Sequence, residues 1–581
     1  MKQFFKTMFA CILGVFLSGF LGSMIMLFVL VGMAATSTTT YIPVENTIFK
    51  LELNSSVVET TSNDPMNEII NSLSNKQTPL ALNKILKAID VAKNNDKISG
   101  IYLKTDGYSA PYATSEAIRR KLDDFKKSGK FIISYNDFYS QNQFYISTVS
   151  DSTFLNPMGA VSFSGLASSY MFYKKALDKL GVEVQVFRVG TFKSAVEPFI
   201  LDKMSEANRE QVSVYMNSIW NTLLNDISIS KGISVDSLNS IANLGLEFQD
   251  GEASIKTGLI SGLKYQQDMD SILIKKTGVK ELKTASIDDI LSIKETTKEN
   301  KNKIALLYAS GDILSSNDSD GIYWVNTIAE IKKIKEDKDV KALVFRVNSP
   351  GGSAFASEQI WNAIEDLKKT KPVVVSMGDY AASGGYYISC NANYIVAEPT
   401  TITGSIGVFG LIPNANKLLT DKLGLSIDEV KTNKFGNITY FQPVTEAEGA
   451  LIQKSVENTY YTFKKRCADG RNLPIDSIAA IAEGRVWTGE NALNIGLVDE
   501  LGGIDKAISK AQELAAVTDY SIVEYPKEKE LIDILLEEFS GNSMMKIKQQ
   551  IIGEEYKYIK IVDYLRSLDK IQARIEPVII K

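Results

Sequence analysis

The chain of 581 residues contains no histidine. That absence excludes a Ser-His-Asp triad, a Cys-His pair and any histidine-ligated metal site. A nucleophilic serine would have to give its proton to another base, for which neutral lysine is the usual substitute. Cysteine is nearly absent as well: Cys11, Cys390 and Cys467 lie far apart, with no zinc-type spacing. No disulfide framework is implied, although a Cys390–Cys467 pair stays open. A net charge of −5 gives no electrostatic reason to expect nucleic acid. The hydrophobic and charged fractions, 44% and 23%, are those of an ordinary globular chain whose length exceeds a single core, so two or more domains are expected.

Residues 7–35 form an almost uninterrupted apolar run behind Lys2 and Lys6. At about 1.5 Å per residue such a helix would cross a bilayer with some tilt. Met33-Ala34-Ala35 resembles a weak signal-peptide cleavage site, but the run is too long for a cleaved leader, and a retained anchor is expected. The basic N-terminus would stay in the cytoplasm and the bulk of the chain outside.

Beyond the Thr/Ser-rich hinge Thr36–Thr40, short apolar runs alternate with amphipathic ones. Leu82, Ile85, Leu86 and Ile89 fall at helical spacing; Ile98–Lys104 and Gly129–Ser134 read as strands. This alternation predicts an α/β fold with parallel pairing. The order then recurs at an offset of roughly 240 residues, the mark of a tandem repeat. Ile98-Ser-Gly-Ile-Tyr-Leu103 resembles Val340-Lys-Ala-Leu-Val-Phe345, and Phe144-Tyr-Ile-Ser147 matches Tyr386-Tyr-Ile-Ser389. Leu177-Asp-Lys-Leu-Gly181 answers to Asp421-Lys-Leu-Gly424, and Gly258-Leu-Ile260 to Gly496-Leu-Val498. The expected organisation is an anchor and hinge over 1–40, one copy over 41–293, a charged linker over 294–303, a second copy over 304–520 and an extension over 521–581.

Within the second copy, the β-branched run Val373–Met377 leads to Asp379-Tyr-Ala-Ala-Ser383-Gly384-Gly385 and what reads as a first helical turn. A serine at such a junction is presented for covalent chemistry. The glycines allow close approach, and unpaired N–H groups at the helix start can hold developing negative charge. The ordinary alternative is that Ser383 only caps the helix. In the repeat register Ser383 aligns with Gln141, and Asn348-Ser-Pro-Gly-Gly352 has Thr105-Asp-Gly107 as its poorer counterpart. Only the second copy therefore carries a nucleophile and a glycine-rich loop. The candidate base lies in the first: Gly190-Thr-Phe-Lys193-Ser-Ala-Val-Glu-Pro198 follows a strand-like run, and Lys193 aligns with Gly436. Lys434 is close by and stays an alternative. Complementary loss, with one half keeping serine and the other lysine, would require a cleft between the halves. Lys193 would need burial to be neutral near pH 7. The N–H groups of Gly352 and Gly384 are candidate oxyanion donors. Ser405, in Thr403-Gly-Ser-Ile-Gly407, either orients the lysine or satisfies its own loop.

These motifs, Gly190–Pro198, Asn348–Gly352, Ala382–Tyr386 and Thr403–Val408, resemble the signal peptide peptidase A (protease IV) family, membrane-anchored bacterial serine peptidases of the ClpP/crotonase superfamily. The resemblance runs from the anchor to about residue 520. It implies a crotonase-like fold in each half, Ser383 as nucleophile and Lys193 as general base, with no metal or cofactor. It further implies a homotetramer on the outer side of the cytoplasmic membrane that degrades cleaved signal peptides. An acyl-CoA enzyme on the same fold fits an extracytoplasmic anchor poorly, and a silent scaffold would not retain both motifs. Past residue 520, Ile532, Leu535, Leu536 and Phe539 suggest an amphipathic helix packed on the body or on a neighbour.

Overall fold

Strands such as Ile98–Lys104 and Val373–Ala382 are buried along nearly their whole length, as expected of parallel strands covered on both faces. The computed structural model describes residues 2–36, 40–61, 78–294, 300–317, 321–436, 438–526 and 571–575. In the first half a six-stranded sheet runs Gly262–Leu263, Ser152–Leu155, Phe131–Asn136, Ile98–Lys104, Thr47–Glu52, Thr284–Ala285, all parallel. In the second half the path Glu500–Leu501, Tyr394–Ala397, Val373–Ala382, Val340–Ser349, Lys303–Ser310, Ser521–Tyr525 is again wholly parallel. Strand for strand the order is the same, so the chain folds twice over. The second sheet also carries Ile402–Gly404, parallel to the end of the serine-bearing strand, and Val486–Thr488 antiparallel to that.

A third sheet joins the halves. Its order is Ile322–Tyr323, Ile313–Leu314, Gly351–Ser353, Ile571–Arg574, Val408–Asn414, Glu183–Val189. The last strand belongs to the first half, yet it pairs antiparallel along its full length with Val408–Asn414 of the second, Val189 opposite Val408. Polar contacts fasten the same seam. Glu59 and Arg346 form a buried ion pair at 3.0 Å, and Thr114 donates its N–H and its hydroxyl to Asp379, each at 2.8 Å. Arg120 pairs with Glu398, and Lys121 with Asp505 at 2.6 Å.

Lys2–Thr36 is one helix of 35 residues. Its described side chains are largely exposed, Phe9 at 70% and Phe16 at 75%; those of 23–36 lie outside the described residues. Among the described residues no helix is long and apolar enough to cross a membrane. Cys390 and Cys467 are both buried free thiols, not a disulfide. Part of the charged linker, 295–299, and the helix expected around 532–539 also lie outside the described residues. Of the C-terminal extension, Ile571–Arg574 is a strand in the third sheet, pairing with Gly351–Ser353 on one side and Phe409–Gly410 on the other.

Candidate active site

Ser383 ends the strand Val373–Ala382 and precedes a single helical turn, Gly384–Tyr387. Its φ of 54° with ψ −113° is a conformation that L-residues adopt at a cost of order 1–3 kcal/mol. It is held there by its own N–H, which donates to the Gly404 carbonyl at 2.8 Å. The hydroxyl caps nothing. The first half shows what the ordinary role looks like. There Ser140 has φ −65° and accepts from the Gln143 N–H in a capping box at the head of the helix Gln141–Ser147. Gln141, aligned with Ser383, is occupied in accepting from the N–H groups of Ser164 and Gly165 at 3.1 and 2.9 Å.

Lys193 reaches Ser383 because the strand Glu183–Val189 has crossed into the second half's sheet. Just beyond it, Gly190 turns with φ 107°, and a Cβ there would stand 2.5 Å from the Glu483 carbonyl oxygen. The Phe192 N–H donates to that same carbonyl at 2.9 Å, and the Gln211 amide donates to the Phe192 carbonyl at 3.0 Å. Lys193 then enters the core, 1% exposed, with Nζ 2.9 Å from Ser383 Oγ. Burial brings its ammonium down from 10.5 to about 7, since desolvation penalises the charged form. Nζ also lies 3.1 Å from Ser405 Oγ and 3.4 Å from the Ser405 carbonyl. Ser405 Oγ donates in turn to the Gly484 carbonyl at 3.2 Å, which leaves its lone pairs for the amine. A neutral amine has two hydrogens and one lone pair. In the resting arrangement Nζ donates to Ser383 Oγ, whose hydroxyl donates to the Gly407 carbonyl at 3.4 Å; an amine that gives both hydrogens to Ser405 would turn its lone pair to the Ser383 hydroxyl.

Gly352 and Gly384 converge beside this pair: a Cβ on Gly384 would stand 3.1 Å from the Gly352 nitrogen. Their N–H groups are the kind of preorganised donors that a tetrahedral oxyanion needs. The structure thus brings together all five residues that the sequence singled out: Ser383, Lys193, Ser405, Gly352 and Gly384. Lys434 stands apart, exposed, its ammonium over the Phe435 ring at 5.3 Å.

Two features escaped the sequence reading. Gly484, with φ 74°, backs onto the lysine so closely that a Cβ would lie 2.8 Å from that of Lys193. Nothing in Glu483-Gly484-Arg485 advertises more than a turn. The other is the strand Ile571–Arg574 lying against Gly351–Ser353; its period-2 alternation, Ile571-Gln-Ala-Arg-Ile575, was a faint signal of a strand.

The sequence model of Peptidase family S49 matches residues 124–280 and 365–518. "Protease 4" of Salmonella typhi is 36% identical over 480 residues, spanning 80% of this chain and 77% of its own length. The chloroplastic "Serine protease SPPA" of Arabidopsis thaliana is 32% identical over 514 residues, 86% of this chain and 74% of its own. Among solved structures, a point mutant of ClpP1 from Listeria monocytogenes aligns with 35% of this chain and 94% of its own at a TM-score of 0.25 and 13% identity. That overlap is too slight to argue from.

Proposed function

The chain belongs to peptidase family S49 and is a serine peptidase, and from that premise we propose that it hydrolyses peptide bonds through an acyl-enzyme formed by a Ser383/Lys193 dyad. The observation that carries the reading is the 2.9 Å contact between a buried lysine amine and a serine hydroxyl 190 residues away on the other half. Lys193 takes the proton of Ser383 as its oxygen attacks the scissile carbonyl, and the N–H groups of Gly352 and Gly384 receive the oxyanion. Lys193 then passes the proton to the leaving amine and afterwards draws one from the water that frees the enzyme. Every step is carried by side chains and backbone of this chain.

The substrates we propose are cleaved signal peptides and other apolar peptides. The setting is a ClpP/crotonase-like body in each half, assembled as a homotetramer on the outer face of the cytoplasmic membrane. Support for the membrane comes from the apolar run 7–35 and the exposed phenylalanines of the first helix. Support for the substrate class and the tetramer comes from the motif resemblance.

A fluorophosphonate probe tests the dyad, because it esterifies only an activated serine. The expected result is one adduct, mapped by mass spectrometry to the peptide carrying Ser383 and lost in Lys193→Ala. An adduct at another serine, or one undiminished in Lys193→Ala, would refute the assignment.

A further inference from the structure

The first half repeats the loop that lies beside the serine and leaves its outer edge open. The helices Tyr112–Lys126 and Ala354–Lys368, each of 15 residues, follow the two loops. The register that sets Gln141 against Ser383 puts Ser109 and Ala110, rather than Gly107, against Gly351 and Gly352, and Asn142 against Gly384. Each loop bridges in parallel to the segment after the first strand of its half, Ser109 to Ser56 and Gly352 to Ile313. Their other edges differ. Gly351–Ser353 is buried under an antiparallel strand, Ile571–Arg574. Ser109 and Pro111 are exposed, and their edge borders a cavity of about 870 Å³, within the range of about 300–1,000 Å³ usual for ligand clefts.

Two polar groups bordering this cavity are left without partners. The Ala110 N–H makes no hydrogen bond among the described residues. Asn142 donates through Nδ2 to the Ala110 carbonyl at 2.6 Å, but its Oδ1 is buried and accepts from nothing among the described residues. Buried acceptors in folded proteins are seldom left bare. The walls are apolar: Val57, Tyr112, Leu166, Ile219, Tyr380 and Ile402 all border the space. Tyr380 and Ile402 pair in register on the strand that leads to Ser383 and its neighbour, so the second half closes the cavity. No lysine or arginine is among the described residues around it, and the Asp379 carboxylate is taken up by Thr114 and Asn348.

We propose that this cavity is a second peptide site, which takes an extended apolar peptide along Ser109 and Ala110 and holds it uncut. An open edge with an unpaired N–H is a template for one more strand, and the matching edge of the other half carries a strand. The bare Ala110 N–H meets a peptide carbonyl, the bare Asn142 Oδ1 meets a peptide N–H, and the apolar walls take side chains of the same kind. Hydrolysis has no agent here. Gln141 stands in the place of the serine, Ser140 is spent on capping the Gln143 N–H, and Ser162 donates to Glu247 at 2.7 Å. Only the peptide's apolar class rests on the substrate reading above.

The test is photocrosslinking and fluorescence anisotropy on the full Ser383→Ala chain in detergent, with an extended Leu/Ala peptide that carries a fluorophore and a benzophenone residue. Hydrolysis of the same peptide by wild type is followed alongside. The expected crosslinks map to residues 108–113 and 162–167. Leu166→Asp, which puts a charge on the apolar wall, should lose them and weaken binding at this site by about 10-fold or more, whereas Leu166→Met should keep both. Crosslinks confined to the segments around Gly351 and Ser383 overturn this inference, and hydrolysis by wild type then leaves the peptidase reading standing. Crosslinks at 162–167 in a chain whose wild type cuts nothing uphold the second site and count against the proposed substrate class. Neither binding nor hydrolysis sinks both. The crosslink map of Ser383→Ala decides the matter even if Leu166→Asp fails to fold.

Discussion

At the scale of single residues the proposed mechanism turns on the desolvation of Lys193. In the folded chain it loses its charge near pH 7, against 10.5 for the free side chain. Between those values the unfolded chain binds more protons, so this group makes stability rise with pH across that window. With Lys193 as the proposed base, activity should follow the same direction, because that base must be neutral. We predict a kcat/KM that climbs about tenfold per pH unit below 7 and then levels off; a profile flat from pH 5 to 8 would contradict it. On the same proposal Ser405, 3.1 Å from Nζ, would act one step back, by positioning the amine. Ser405→Ala should lower kcat by about 10- to 100-fold with little change in KM, and Ser405→Thr should recover part of the loss. A drop confined to KM would assign Ser405 to substrate binding instead.

At the scale of elements, the site is where a strand-to-helix turn meets a loop delivered by a foreign strand. The turn was legible because its requirements are local: a serine, two glycines behind it and an apolar strand before it. Lys193 was legible for a different reason, since the missing histidine called for another base and the repeat showed which half had kept a candidate. What the sequence could not disclose was the pairing of Glu183–Val189 with Val408–Asn414, because partner choice in an antiparallel sheet is set by tertiary packing rather than by either strand. Gly484 was hidden for a related reason: its role depends on a backbone approach from a segment far away in sequence. Its replacement tests the delivery directly. Gly484→Ala adds a methyl 2.8 Å from the Lys193 Cβ at a φ of 74°, which should displace the amine and cut kcat about 100-fold. Circular dichroism should stay that of the wild type, and unchanged kinetics would show that the loop has slack that the geometry denies.

For the whole molecule, the proposed dyad would make the two halves function as one body, because Lys193 lies in one half and Ser383 in the other. Buried polar pairs hold the seam shut. Arg346 donates to Glu59 through Nε and Nη2, each at 3.0 Å, and through Nη1 to the Ser376 hydroxyl and the Met377 carbonyl of the serine strand. Glu59→Ala would leave that guanidinium buried and short of its charge partner, a loss of about 3–5 kcal/mol. It should appear as a lower denaturation midpoint and a parallel loss of activity; an unchanged midpoint would mean that the halves do not depend on this pair. The claim that the dyad is split between the halves is tested most directly by kcat/KM for an apolar signal-peptide-like substrate. The full chain would be measured in detergent beside Ser383→Ala, Lys193→Ala and Lys434→Ala of verified folding. The account predicts losses on the order of 10³-fold or more for the first two and wild-type activity for Lys434→Ala. Full activity in Lys193→Ala would contradict it, and the idea that each half kept what the other lost would go with it.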